Sequence, residues 1–180
     1  MKGTITTYSG LEFDTMEPDK DMVRIEDIAH ALSMMTRANG HFPEFFSVAQ
    51  HCIQCANEAL VRSYSARVAM ACLLHDGSEA YLSDITRPVK KNMTMYLQIE
   101  EQLQRTIFEK FLDSEPEEEE AELVKNVDDA CLYYEFKHFM GKEIFPVEPV
   151  LVSEPEYTVR PMKEVEEEFL WMFRQLAREF

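Results

Sequence analysis

The chain has 180 residues, 46% of them hydrophobic, which is enough for one domain with a substantial core, and no shift of composition marks a second. Eighteen basic residues against thirty-four acidic ones give a net charge of -16, which repels a phosphate backbone and excludes nucleic-acid polymers as expected partners. A small phosphorylated substrate would have to be drawn in by a local positive centre, such as a bound cation with a few Arg or Lys, against the global field.

MKGTITTYSG carries no apolar signal core, and the longest apolar run, Val68 to Leu74, is far shorter than a bilayer needs, so the expectation is a cytoplasmic protein with no membrane partner. Cys52, Cys55, Cys72 and Cys131 lie in apolar helical patterns and read as reduced, buried thiols without disulfides. Cys52 and Cys55 make a C-x-x-C pair, but one turn inside a helix and flanked by apolar positions, where redox chemistry is not favoured.

In chain order, Thr4 to Asp14 alternates around a Ser-Gly turn and predicts a short hairpin, with residues 1–24 as hairpin and lead-in. Ile25, Ile28, Ala29, Leu32 and Met35 recur at helical spacing. RANGHFPEFF must loop; Ser47 then caps a helix ending near Val61, and Ser65 caps the next, SARVAMACLLHD. GSEAYLSDITRPVKK is compact, with one helical turn at Ser78 to Leu82 and Pro88 as punctuation. Tyr96 to Phe111 is amphipathic, and the acidic run at SEPEEEEAE opens a helix reaching about Phe139. Residues 25–140 thus form the helical core, and 141–180 comprise a Pro-rich surface segment followed by a helix from Met162 to Phe180.

The chemistry concentrates at His75-Asp76, which end a strongly apolar helix and are followed by Glu79 and Asp84. Titratable groups so placed are costly to bury unless they are paired or metal-bound. Other helices offer His51, which shares a face with Ser47, Val48 and Cys55, and Asp128, which shares one with Val124, Cys131 and Leu132 and is preferred to Asp129. Two imidazoles and two carboxylates suit one divalent transition metal, Mn, Co, Fe, Ni or Zn, with Mg also possible. A helical turn continued past His75 and Asp76 aims Glu79 at the same site, and Arg37 is suited to gripping a phosphate with two hydrogen bonds.

His51, then His75-Asp76, then Asp128 resembles the H…HD…D signature of the HD-domain metal-dependent phosphohydrolases. The likeness extends through IEDIAHALS, NGHFPEFFSVAQH, LLHDGSEAYLSDITRPVK and VDDACLYYE, and is similar to bacterial HD-family 5'-deoxynucleotidases and small phage-type dATP triphosphohydrolases. The resemblance implies an all-α fold, a single HD-domain helical bundle with a short N-terminal β-hairpin. It implies metal ligands His51, His75, Asp76 and Asp128, catalytic Glu79 and Asp84 handling the attacking water and leaving group, and Arg37 binding substrate. Lys90 after ITRPV is a second candidate phosphate contact, and His41, in the loop near Arg37, a third candidate substrate contact. No histidine lies between Gly77 and Val127, where dinuclear relatives place further ligands, so one metal is expected.

The expected function is hydrolysis of small nucleotides, first as a 5'-deoxynucleotidase on deoxynucleoside monophosphates and second as a deoxynucleoside triphosphate triphosphohydrolase. The rival is a non-catalytic metal-binding scaffold. By resemblance the protein forms a homo-oligomer, a dimer.

Overall fold

The computed structural model describes residues 3–180. Strands β1 (Thr4–Thr6) and β2 (Glu12–Asp14) pair antiparallel with Ile5 opposite Phe13, and Phe13 is driven into the core, where it stacks on Tyr81. Everything after them is helical or irregular: α1 (Ile25–Met34), α2 (Val48–Val61), α3 (Ala66–Leu74), the short turns α4 (Glu79–Leu82) and α5 (Arg87–Lys90), α6 (Thr94–Phe111), α7 (Glu118–Met140) and α8 (Met162–Leu176). The architecture is all-α with a short hairpin, as the periodicity predicts. Among the described residues no helix is long and apolar enough to cross a membrane.

Helix α2 is the axis. Ser47 caps it with a reciprocal Ser-Gln box to Gln50, and it is buried on nearly every side, with small residues Ala49, Cys52, Ala56 and Ala59 fully or almost fully enclosed. A helix enclosed on nearly every side sits in the centre of a bundle, and small side chains let α3, α7 and α8 approach it closely. Ser65 caps α3 through the Val68 N–H, and the whole stretch from Val68 to Leu74 is buried. Helix α7 opens with Glu117 and Glu120 capping its own first turn and stops at Gly141, whose left-handed φ of 61° lets the Lys142 N–H return to the Phe136 carbonyl.

The Pro-rich segment 142–160 has no secondary structure, yet it is not loose. Gln50, Gln54, Glu58 and Arg62 recur every fourth residue along α2 and bind it like rungs. The Gln50 and Gln54 amides donate to the Thr158 and Glu156 carbonyls (3.2 and 2.7 Å). Buried Glu58 accepts from the Val152 and Ser153 N–H groups (2.9 and 2.7 Å), and Arg62 donates to the Val150 carbonyl (2.5 Å). The free backbone groups of an unstructured segment thereby find partners on a helix side.

Three details depart from the sequence expectations. Residues Arg87–Lys90 form a helical turn, because Pro88 sits within its first two positions, where a missing N–H costs nothing. Helix α1 ends at Met34, short of the Met35 that the helical spacing included, since Met35 is already extended and its carbonyl accepts the Val48 N–H. Helix α8 ends at Leu176, short of the chain end.

Candidate metal centre and cleft

Four predicted ligands from three helices meet at one point. His51 comes from the first turn of α2, His75 and Asp76 from the end of α3, and Asp128 from the interior of α7. His51 Nε2 lies 3.2 Å from His75 Nε2, 3.2 Å from Asp128 Oδ1 and 3.8 Å from Asp76 Oδ2. His75 Nε2 lies 3.4 Å from Asp76 Oδ2 and 3.7 Å from Asp128 Oδ1. Ligands each about 2.1 Å from a common cation stand roughly 3.0 to 3.4 Å apart for right-angled or tetrahedral geometry, close to this spacing.

The tautomers sharpen the point. The Cys72 carbonyl can only accept, so His75 Nδ1 must carry the proton of their 2.7 Å bond. His51 Nδ1 meets Glu135 Oε1 at 2.5 Å, the carboxylate–histidine pairing that orients metal-binding imidazoles. With each Nδ1 so engaged, the two Nε2 atoms face each other at 3.2 Å, an arrangement that favours positive charge on or between the rings. The surroundings attract such charge: burial and Arg37 oppose protonation of His51, yet Glu135 and Asp128 push its pKa up to about 9. Against burial, hydrogen bonds from His51 and His75 hold the Asp128 carboxyl well below the usual range. The donor set fits a divalent metal.

Two thiols stand near these imidazoles. Cys55 Sγ is 3.5 Å from His51 Nε2, and Cys52, His75 and Asp76 form a second cluster with metal-ligand spacing. Burial pushes Cys52 up to about 11 and raises Cys55 well above the usual thiol range, so both remain protonated and the carboxylates are the better hard-metal ligands. All four cysteines are free and buried.

Asp76 and Asp128 form part of a cleft of about 350 Å3 whose other polar lining is Arg37, Glu79, Asp84, Arg87 and Lys90. Arg37 lies in a strained turn: Ala38 and Asn39, which follow it, have left-handed φ of 53° and 51°. The strain is held by bonds from Arg37 N–H to the Phe46 carbonyl and Val48 N–H to the Met35 carbonyl, and by Phe42 and Phe46 packed on Phe139. Ser83, before Asp84, also has positive φ, 84°.

Of the five non-ligand residues predicted from the sequence, the cleft collects four, Arg37, Glu79, Asp84 and Lys90. Arg37 Nη1 is 3.3 Å from Asp76 and 4.0 Å from Asp84, and Nη2 is 3.5 Å from Glu135, so its charge is shared among three carboxylates. Lys90 bonds Glu100 (2.6 Å) and approaches Glu79 (3.5 Å). Burial, then Asp76 and Asp84, raise the Glu79 carboxyl well above its usual range, and its buried Oε2 has no partner. Burial also raises Asp84, against the pull of Arg37. Opposite these groups runs an apolar wall of Phe42, Leu132, Phe136, Ile144 and Phe145.

His41 is exposed and is not among the residues lining the cleft. Asp129 faces away from the imidazoles, bonding Arg87 and Lys125. Sequence reasoning missed Glu135, although it lies seven residues beyond Asp128 and so two turns along the same face. It also assigned no role to the apolar wall, two of whose five residues, Ile144 and Phe145, come from a segment without periodicity.

No family model matches the chain. Two curated relatives do: the uncharacterized protein YfdR of Escherichia coli K12, 39% identical over 107 residues, and an uncharacterized protein of Rhodobacter capsulatus, 32% identical over 109 residues. The matches cover 59% and 57% of this chain, and the chain spans only 57% and 55% of those proteins' lengths. Neither relative's name carries an activity.

Proposed function

We propose that the protein is a metal-dependent phosphohydrolase of small nucleotides, acting first on deoxynucleoside monophosphates. The observation that carries this reading is the pair of imidazole Nε2 atoms facing each other at 3.2 Å beside two carboxylates, in a cleft that also holds acids and cations. A divalent cation held by His51, His75, Asp76 and Asp128 would supply Lewis acidity, polarising a phosphoryl oxygen and acidifying water.

The chain's own groups do the rest. Glu79 keeps its proton through burial and gives it to the leaving oxygen, while Asp84, beside Arg37, orients the attacking water. Lys90, Arg87 and Arg37 offset the phosphate charge, and the aromatic wall receives the nucleoside. The cleft is at the small end of ligand sites, which run from about 300 to 1,000 Å3, and this favours one phosphate over three. Three cations on one cleft are the feature that keeps a triphosphohydrolase as the second reading.

The test is release of phosphate or pyrophosphate species from a nucleotide panel by metal-stripped protein resupplied with Mn, Co, Ni, Zn or Mg. Metal-dependent release that disappears in Asp76→Ala supports the hydrolase, and the released product separates monophosphatase from triphosphohydrolase. Metal binding with no turnover of any nucleotide would leave the scaffold as the better account.

A further inference from the structure

Arg87 is the most exposed of the three cations lining the cleft, its side chain 48% exposed against 10% for Arg37 and 18% for Lys90. From α5 it forks across the face of α7: Nη2 bonds Asp128 Oδ2 and Nη1 bonds Asp129 Oδ1 at 2.7 Å. The oxygen of Asp128 that faces His51 and His75 is the other one, Oδ1. One carboxylate thus serves the metal position and the guanidinium through different oxygens, so the two do not compete. A guanidinium has five N–H groups, and the fork engages two, leaving donors for an anion in the cleft.

We propose that Arg87 is a double-duty residue: it anchors the phosphate of the substrate and, through the same guanidinium, fixes Asp128 in the rotamer that presents Oδ1 to the metal. The phosphate half rests on the reading of the cleft as a phosphohydrolase site; the positioning half does not. Arg37 and Lys90 are largely enclosed among their carboxylate partners, whereas Arg87, half exposed, can add a phosphate oxygen without giving up the fork. Lysine has the charge but not the planar geometry to span two carboxylates.

The experiment measures Mn affinity of the metal-stripped full chain without phosphate, and inorganic phosphate affinity at saturating Mn, for wild type, Arg87→Lys, Arg87→Ala and Asp129→Asn. Arg87→Lys keeps the charge, so it isolates the fork: Mn affinity falls about 10-fold or more while phosphate affinity stays within about 3-fold. In Arg87→Ala phosphate affinity falls roughly 10- to 100-fold, the worth of a charge-assisted hydrogen bond. Asp129→Asn, which loosens one arm, weakens Mn and spares phosphate.

Unchanged Mn affinity in Arg87→Lys overturns the positioning role, and unchanged phosphate affinity in Arg87→Ala overturns the anchor. Neither measurement needs turnover, so a nucleotide panel that stays silent sinks the proposed reaction without touching the Mn result. The half-exposed position of Arg87 keeps folding out of the comparison, which far-ultraviolet circular dichroism of each variant checks.

Discussion

His51 and Glu135 are both fully buried, and they meet at 2.5 Å across the α2–α7 packing with the Glu135 carboxylate also touching Arg37. Glu135 therefore sets the imidazole's tautomer and the guanidinium's position at once. Replacing it with Gln leaves the shape and removes the acceptor's charge, and metal affinity is expected to fall roughly 10- to 100-fold. Chelator competition with Mn or Zn measures this, and an unchanged affinity would show that His51 needs no orienting partner.

Gly77 follows the His-Asp pair at a point where a side chain has no room. A Cβ there would stand 2.9 Å from the Leu74 carbonyl oxygen and 3.3 Å from Ile107 Cδ1. Gly77→Ala must displace the end of α3, costing about 1–3 kcal/mol in urea unfolding and weakening metal binding through the shift of His75 and Asp76. Wild-type values of both would mean that the turn adapts elsewhere.

Burial opposes ionisation of Glu58, but bonds from Ser153, Val152 and Arg62 bring its carboxyl below the usual range. A group with a depressed folded-state pKa contributes stability that is present above its unfolded pKa, about 4.3, and is lost as pH falls through the folded value. Glu58→Gln turns one acceptor into a donor facing backbone N–H groups and is expected to cost about 1–3 kcal/mol at pH 7. The gap between wild type and variant in urea unfolding should narrow below about pH 4.3; a gap that widens there contradicts the account.

In the proposed reaction Glu79 donates the proton, so Glu79→Gln is expected to lower kcat about 10²- to 10⁴-fold with metal affinity within a few fold of wild type. Single-turnover kinetics on the preferred nucleotide, with Mn binding as the control, separate this from a metal-ligand role. Equal losses in both would reassign Glu79 to metal retention.

Metal binding should also register in stability. A cation at about 100 times its dissociation constant adds about 2.7 kcal/mol, roughly a 5–10 °C rise in Tm for a chain of this size, and His51→Ala abolishes the rise. Equal Tm with metal and with chelator in the wild type would argue against the site.

The fold was legible because most helices announce themselves: Ser47 and Ser65 are caps, and the apolar spacing around them names the buried faces. The convergence of His51, His75, Asp76 and Asp128 was legible for a related reason, since His51 and Asp128 are polar residues on apolar stripes, where burial calls for a partner. The wall of the cleft was not. Ile144 and Phe145 lie in a segment without period, and their placement depends on where that segment is tied down. Nor could spacing show that Arg87 crosses to α7, because a contact 41 residues away in sequence is a product of the finished packing.

The rungs between α2 and residues 150–158 carry one more implication. The segment is fastened to α2 by side chains rather than by its own strand or helix, while α8 beyond it packs on α1, α2 and α3. Peptide continuity between Val147 and Pro149 is then mechanically redundant, and a protease that cuts there should yield two fragments that co-migrate on gel filtration and part only in denaturant. The chain could be split at that point into a reconstituting pair, with α8 supplied in trans to a body that already holds His51, His75, Asp76 and Asp128.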